Sequence, residues 1–120
     1  MVLVSGGRPM TIYAKRRYQV EEILAGTQAI AGVDGGFFSL KFVNSNIMID
    51  SVLSQINNTF VPGNRRENPR LNNRPLVLIS PQTAKFIPFD AEKHNTLEEI
   101  QAEMPNVTDA FVAFKYGSRE

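Results

Sequence analysis

The chain has 120 residues, 42% hydrophobic and 21% charged, an ordinary globular balance that excludes collagen, coiled coil and wholesale disorder. Thirteen Lys and Arg against twelve Asp and Glu leave a net charge of +1, which demands neither nucleic acid nor an anionic membrane as partner. There is no cysteine and only one histidine, His94, so disulfides, thiolate zinc sites, Cys nucleophiles and a His-rich metal centre are all removed.

This length suits one domain with one core. The apolar start Met1-Val2-Leu3-Val4 is too short for a secretory core segment, which needs about 7–15 apolar residues, or for a membrane span, which needs about 20. A cytoplasmic location is the default expectation. Without an export signal, the Asn-x-Thr sequons at Asn57 and Asn106 carry little weight as glycan sites.

In chain order, residues 2–4 suggest a short strand ending at Gly6-Gly7. Residues 11–25 read as a helix, with Pro9 ahead of it and Gly26 as its stop. Tyr13, Val20, Ile23 and Leu24 would share one side, and the charged residues would form a solvated face. The small apolar segment Ala29-Ile30-Ala31-Gly32-Val33 is too short for a helix and reads as a buried strand. Residues 46–56 fit either a strand followed by a turn or a short helix.

Residues 57–74 hold six Asn, four Arg, two Pro, one Gly and one Glu, which is loop composition. The loop could contact phosphate or dock a partner, but one aromatic, Phe60, is sparse for a nucleic-acid surface. Leu76 to Ile79 is the clearest strand. Ser80-Pro81-Gln82-Thr83 is turn chemistry, and Lys85 to Phe89 returns as the second arm, with Pro88 suited to an edge or strand end. Thr96-Leu97-Glu98-Glu99 is a capping box for a helix that stops before Pro105, and Asp109 to Phe114 forms a last strand. The expected architecture is α+β, a mixed sheet of about five strands with two helices.

No phosphate loop, nucleophile elbow or His-Glu-x-x-His motif occurs. Three segments bear polar groups in suggestive places. Asp34-Gly35-Gly36-Phe37-Phe38 would put a carboxylate at a strand end, with glycines that permit close backbone approach and amides able to form an anion-binding concavity. The residues alone read first as a Gly-Gly turn between strands, anchored by its phenylalanines. Arg74-Pro75 leads into a strand, and Arg grips phosphate with a planar fork. Asp90-Ala91-Glu92-Lys93-His94-Asn95 gathers ionisable groups at a helix start, where capping by Asn95 or Thr96 also accounts for its polarity.

The run Ala29-Ile30-Ala31-Gly32-Val33-Asp34-Gly35-Gly36-Phe37-Phe38 resembles the signature of the phosphodiester glycosidase domain, the family of the mannose 6-phosphate uncovering enzyme. Its hallmark is a helix, a small-apolar strand and Asn-Gly-Gly-Phe-Phe. Arg74-Pro75-Leu76-Val77-Leu78-Ile79 is similar to the family's later Arg-Pro strand. The resemblance covers roughly residues 11–114, strongly at 29–38 and loosely elsewhere. It implies hydrolysis of a glycosyl phosphodiester at the anomeric carbon, releasing sugar from phosphate. Departing phosphate would rely on cationic stabilisation. Arg74 is then the expected phosphate clamp and Asp34 the sugar contact or base. The Gly35 and Gly36 amides would be donors, and Asp90 a second carboxylate. Phe37 and His94 complete the expected substrate-binding set. A divalent metal is compatible with this chemistry, but no ligand motif requires one.

The chain departs from the family pattern twice. Asp34 stands where the family usually has Asn. A carboxylate about 4 Å from a phosphodiester is repelled by about 1 kcal/mol in water and about 4 kcal/mol at an effective dielectric near 20. Facing phosphate, it needs Arg74, a metal or a proton; otherwise it faces the sugar. The family's later Asp-Gly-Gly-x-Ser motif is also missing before Glu120. That suggests the front part of a larger fold, whose exposed sheet edge would invite self-association. A shortened glycan- or phosphate-binding relative without turnover, or a structural module, are the alternatives.

Overall fold

A computed structural model describes residues 3, 5–13, 20–32, 37, 48–49 and 51–114. These form an α+β domain with a five-stranded antiparallel sheet and two helices. The elements are α1 (Val20–Leu24), β1 (Val52–Ser54), β2 (Thr59–Val61), a 3-10 helix (Asn68–Leu71), β3 (Pro75–Ile79), β4 (Ala84–Pro88), α2 (Leu97–Glu103) and β5 (Asp109–Val112). The spatial order is β2-β1-β5-β3-β4, and all four pairings are antiparallel.

Strand alternation separates two faces. On one, the register aligns Leu53 with Ala110, Ala110 with Leu78, and Val112 with Leu76 and then Ile87. Leu76, Leu78, Ala110 and Val112 there join Leu71, Phe89, Ile100 and Met104 in the core. A fully buried Leu, Ile, Phe or Val side chain contributes roughly 1.5–3 kcal/mol, so this layer dominates the stability. The opposite face carries Asp109 beside Ile79. A strap at residues 11–13 is tied to it: the Thr11 N–H donates to Asp109 Oδ1 at 3.0 Å, and Ser54 Oγ donates to the Thr11 carbonyl at 2.6 Å.

The β3–β4 hairpin forms where turn chemistry places it. Ser80 Oγ accepts from the Gln82 and Thr83 N–H groups at 3.3 and 3.2 Å, and the Ser80 N–H donates to the Thr83 carbonyl at 2.9 Å. Pro88 ends β4, an edge strand, where its missing N–H costs no sheet partner. At α2, Thr96 Oγ1 accepts the Glu99 N–H at 3.2 Å, while Glu99 Oε1 accepts the Asn95 N–H at 3.3 Å. The box therefore closes one residue earlier than its usual reciprocal bond. Thr96→Ala is expected to cost about 1 kcal/mol, read as a lower urea midpoint with Thr96→Ser restoring most of it.

Several sequence expectations need correction. Within the expected helix 11–25, the described helical residues are Val20–Leu24, and 14–19 lie outside the described residues. Residues 11–13 are irregular because tertiary acceptors capture their amides; the Tyr13 N–H donates to Asn57 Oδ1 at 2.7 Å. The segment 29–32 is exposed and forms no strand, with Ile30 87% exposed. Its Ala and Gly residues have little surface to bury, and Gly32 lies against Leu24, where an added Cβ would meet Cδ2 at 2.9 Å. Leu3, the described residue of the expected strand 2–4, is exposed and outside any strand. Of the segment 46–56, residues 46, 47 and 50 lie outside the described residues, and 51–56 follow the strand-then-turn reading, with β1 at Val52–Ser54. The supposed loop 57–74 contains β2 and the 3-10 helix and sends Leu71 into the core. Its Thr-Phe-Val triplet is a strand signal, introduced by Asn58 at φ 47°, a conformation Asn tolerates well.

No helix among the described residues is long and apolar enough to cross a membrane.

Candidate functional site at one end of the sheet

Asp34, Gly35 and Gly36 lie outside the described residues. Phe37, Arg74, Asp90 and His94 are described, and they gather around the N-terminal end of β3. The β3–β4 ladder continues beyond the strands: the Phe89 N–H donates to the Arg74 carbonyl at 2.8 Å. On the other side the Ala113 N–H donates to the Pro75 carbonyl at 2.8 Å. Extending both registers puts Arg74 opposite Phe89 on one side and Phe114 on the other. These three residues form one cross-strand row, two positions beyond the core row of Ile87, Leu76 and Val112, and so share its face.

Phe37 packs against this row. Arg74 Cζ lies 5.1 Å from the Phe37 ring centroid, within reach of a cation–π attraction. The Phe37 and Phe114 rings lie 4.8 Å apart, tilted by 55°. The Phe37 carbonyl accepts the Ile49 N–H at 2.9 Å, which ties its backbone to the segment before β1. Arg74 is thus set in an aromatic frame of Phe37, Phe89 and Phe114, drawn from three distant stretches of chain.

Phe89 also borders a second group. A cleft of about 380 Å³ is lined by Asn72, Asn73, Phe89, Asp90, Lys93, His94 and Glu103, among others. The His94 ring lies 5.9 Å from that of Phe89. His94 Nδ1 accepts the Asp90 N–H at 2.9 Å, which assigns the ring proton to Nε2, 3.2 Å from Glu103 Oε1. Both nitrogens are therefore engaged, and the residue is only 3% exposed. His94 lines the cleft as a strut between the 90–95 loop and α2 and offers substrate no free nitrogen. Asp90 Oδ1 accepts the Glu92 N–H at 2.9 Å, a local turn bond.

The loop has further anchors. Asn72 Oδ1 accepts the Ala91 N–H at 2.8 Å, and Ser51 Oγ donates to the His94 carbonyl at 3.0 Å. The buried Asn68 amide donates to Asn95 Oδ1, and the Asn95 amide donates to the Ala91 carbonyl. These amides back a neighbouring cleft of about 420 Å³ that includes Arg65, Glu92 and Glu99. Among the described residues, no three His, Cys, Asp or Glu side chains converge as a metal site.

Sequence reasoning missed Glu103, Asn72 and Phe114, and noted Lys93 only within the ionisable run 90–95. Glu103 stands nine positions from His94, a separation with no local meaning in sequence. Phe114 carried a signal, because alternation in Asp-Ala-Phe-Val-Ala-Phe places it on the face of Val112. Comparison of the chain with protein families, curated proteins and solved structures finds no match.

Proposed function

We propose that the domain hydrolyses a glycosyl phosphodiester, releasing sugar from phosphate, at the sheet end where Arg74 emerges. The observation that carries this reading is the Arg74–Phe37 contact. It joins the two sequence segments that bear the family resemblance. Arg74 clamps the phosphate with its planar fork and stabilises the charge that develops as phosphate departs. Asp34, with the Gly35 and Gly36 amides, serves the sugar side. Asp90 is the second carboxylate, on a loop held in place by His94 and Glu103.

The test is sugar release from a methyl glycosyl phosphodiester, with and without divalent metal. Arg74→Ala is expected to lower kcat/KM by about 10²–10³-fold, and Arg74→Lys to recover part of it. Absence of release under both conditions overturns the hydrolase reading.

The arrangement around Asp90 favours a second reading, a binding relative without turnover. Both His94 nitrogens are occupied, so His94 does not stand ready as acid or base, and one Asp90 oxygen is already engaged by the Glu92 N–H. Saturable binding of a glycosyl phosphate without hydrolysis, weakened by Asp34→Ala, would select it. Self-association is proposed at the β4 edge, where Phe86 is 69% exposed.

A further inference from the structure

We infer that Phe114 is the sugar-stacking platform of this site and that Phe37 is the positioning residue for the phosphate-binding arginine. The inference rests on the proposed glycosyl-phosphate reading and specifies its ligand: a pyranosyl group whose apolar face lies on an aromatic ring while its phosphate meets the guanidinium.

Phe114 is 48% exposed, although two residues earlier on the same strand face Val112 is fully buried. Phe114 thus lies past the end of the buried row, with about half of its surface open. Its ring contacts that of Phe37 at a centroid separation of 4.8 Å. Phe37 in turn carries the Arg74 guanidinium 5.1 Å from its own centroid. Continued two positions past Leu76 and Val112, as the Ala113 N–H to Pro75 carbonyl bond continues it by one, the register sets Phe114 opposite Arg74, and directly opposed residues bring their Cβ atoms to about 4.5–5.5 Å. A phosphate on Arg74 therefore has its ester substituent within reach of the exposed part of Phe114.

The chemistry of the two residues divides the ligand between them. The guanidinium supplies planar N–H donors to phosphate oxygens. The ring supplies a polarizable apolar surface with a negative face, suited to the C–H groups on one side of a pyranose. An inorganic phosphate uses only the first partner, while a sugar phosphate uses both. Phe37 contacts neither. It fixes the arginine by a cation–π contact, so its removal would act through Arg74.

Calorimetric titration of the full chain with α-D-glucose 1-phosphate, and separately with inorganic phosphate, tests this. Phe114→Leu is expected to weaken glucose 1-phosphate binding by about three- to tenfold, half to one power of ten in affinity, and to leave inorganic phosphate unchanged. Phe114→Trp should restore the sugar-dependent gain. Phe37→Leu should weaken both ligands, and Phe37→Tyr should recover both; equal melting temperatures across the set exclude a folding defect. The inference is overturned if Phe114→Leu leaves glucose 1-phosphate affinity unchanged, if it weakens both ligands equally, or if the native chain does not distinguish the two. An equal gain from uridine 5′-monophosphate would likewise overturn it, by making the ring a general stacking surface. The hydrolase reading fails separately: binding that follows this pattern without sugar release removes turnover and keeps the platform. Sugar release with a KM indifferent to Phe114→Leu removes the platform and keeps the hydrolase.

Discussion

Asp109→Ala is expected to destabilise the fold by about 3 kcal/mol, because it strips a buried acceptor from several donors at once. Asp109 is 1% exposed. Its Oδ1 accepts the Thr11 N–H at 3.0 Å and the Gln55 N–H at 3.2 Å, and its Oδ2 accepts the Thr108 hydroxyl at 2.8 Å. One side chain thus ties the start of β5 to the turn after β1 and to a strap 98 positions away in sequence. A typical bond to a charged group contributes about 1.5–3 kcal/mol, and a buried donor left without an acceptor costs about 1–3 kcal/mol. Water reaching the vacated site offsets part of that sum. Asp109→Asn should cost about half as much, since the amide keeps one acceptor oxygen and the Thr108 hydroxyl can turn to accept from its NH2. Urea unfolding measures both values, and amide exchange at Thr11 and Gln55 should accelerate first. An alanine variant within about 0.5 kcal/mol of the native chain would show that the strap contributes little.

How far the fold could be read from the chain depended on the range of the interactions. The β3–β4 hairpin and the α2 cap were legible because their determinants lie within four residues: Ser80 closes its own turn, and Thr96 meets the Glu99 amide. The segment 29–33 misled because a short apolar run shows only that burial would be favourable. It does not show that a sheet edge is available, and Ile30 in fact faces outward. Residues 59–61 misled in the opposite sense. Their strand signal was diluted by surrounding Asn and Arg, yet pairing with β1 aligns Leu53 with Phe60 and covers part of the core.

The site divides along the same line. Arg74-Pro75 was recognisable as a strand lead with a phosphate-binding side chain. Its aromatic surroundings were not, since Phe89 and Phe114 reach it only through two independent strand registers. Asp90 and His94 were noted for their ionisable groups, and their structural use was invisible. A backbone amide and a carboxylate on α2 occupy the imidazole, and neither pairing has a spacing that sequence alone would flag. Asp34, Gly35 and Gly36, on which the resemblance chiefly rests, lie outside the described residues, so Phe37 is the part of that motif whose surroundings are defined.

Phe89→Ala should be the most damaging single change at the site, costing about 3–5 kcal/mol through lost apolar burial and the cavity left behind. The ring is 1% exposed and belongs to the core cluster with Leu71, Leu76 and Ile100. Its backbone brackets the same place, donating to the Arg74 carbonyl and accepting the Asn73 N–H at 2.9 Å. Asn73 sits at φ 70°, so the chain reverses there and depends on that bond to hold its direction. Removing the ring takes away the wall shared by the arginine frame and the His94 cleft. Phe89→Leu, which refills most of the volume, should cost no more than about 1.5 kcal/mol. The comparison separates burial from aromatic character, because leucine restores packing but not the ring contact with His94. The gap left in Phe89→Ala opens onto the polar cleft that the ring lines, so water can enter it and offset part of the cavity cost. Equal stability of the two variants in urea unfolding would show that the surrounding core collapses into the gap. Phe89 would then serve the site through its backbone bonds alone.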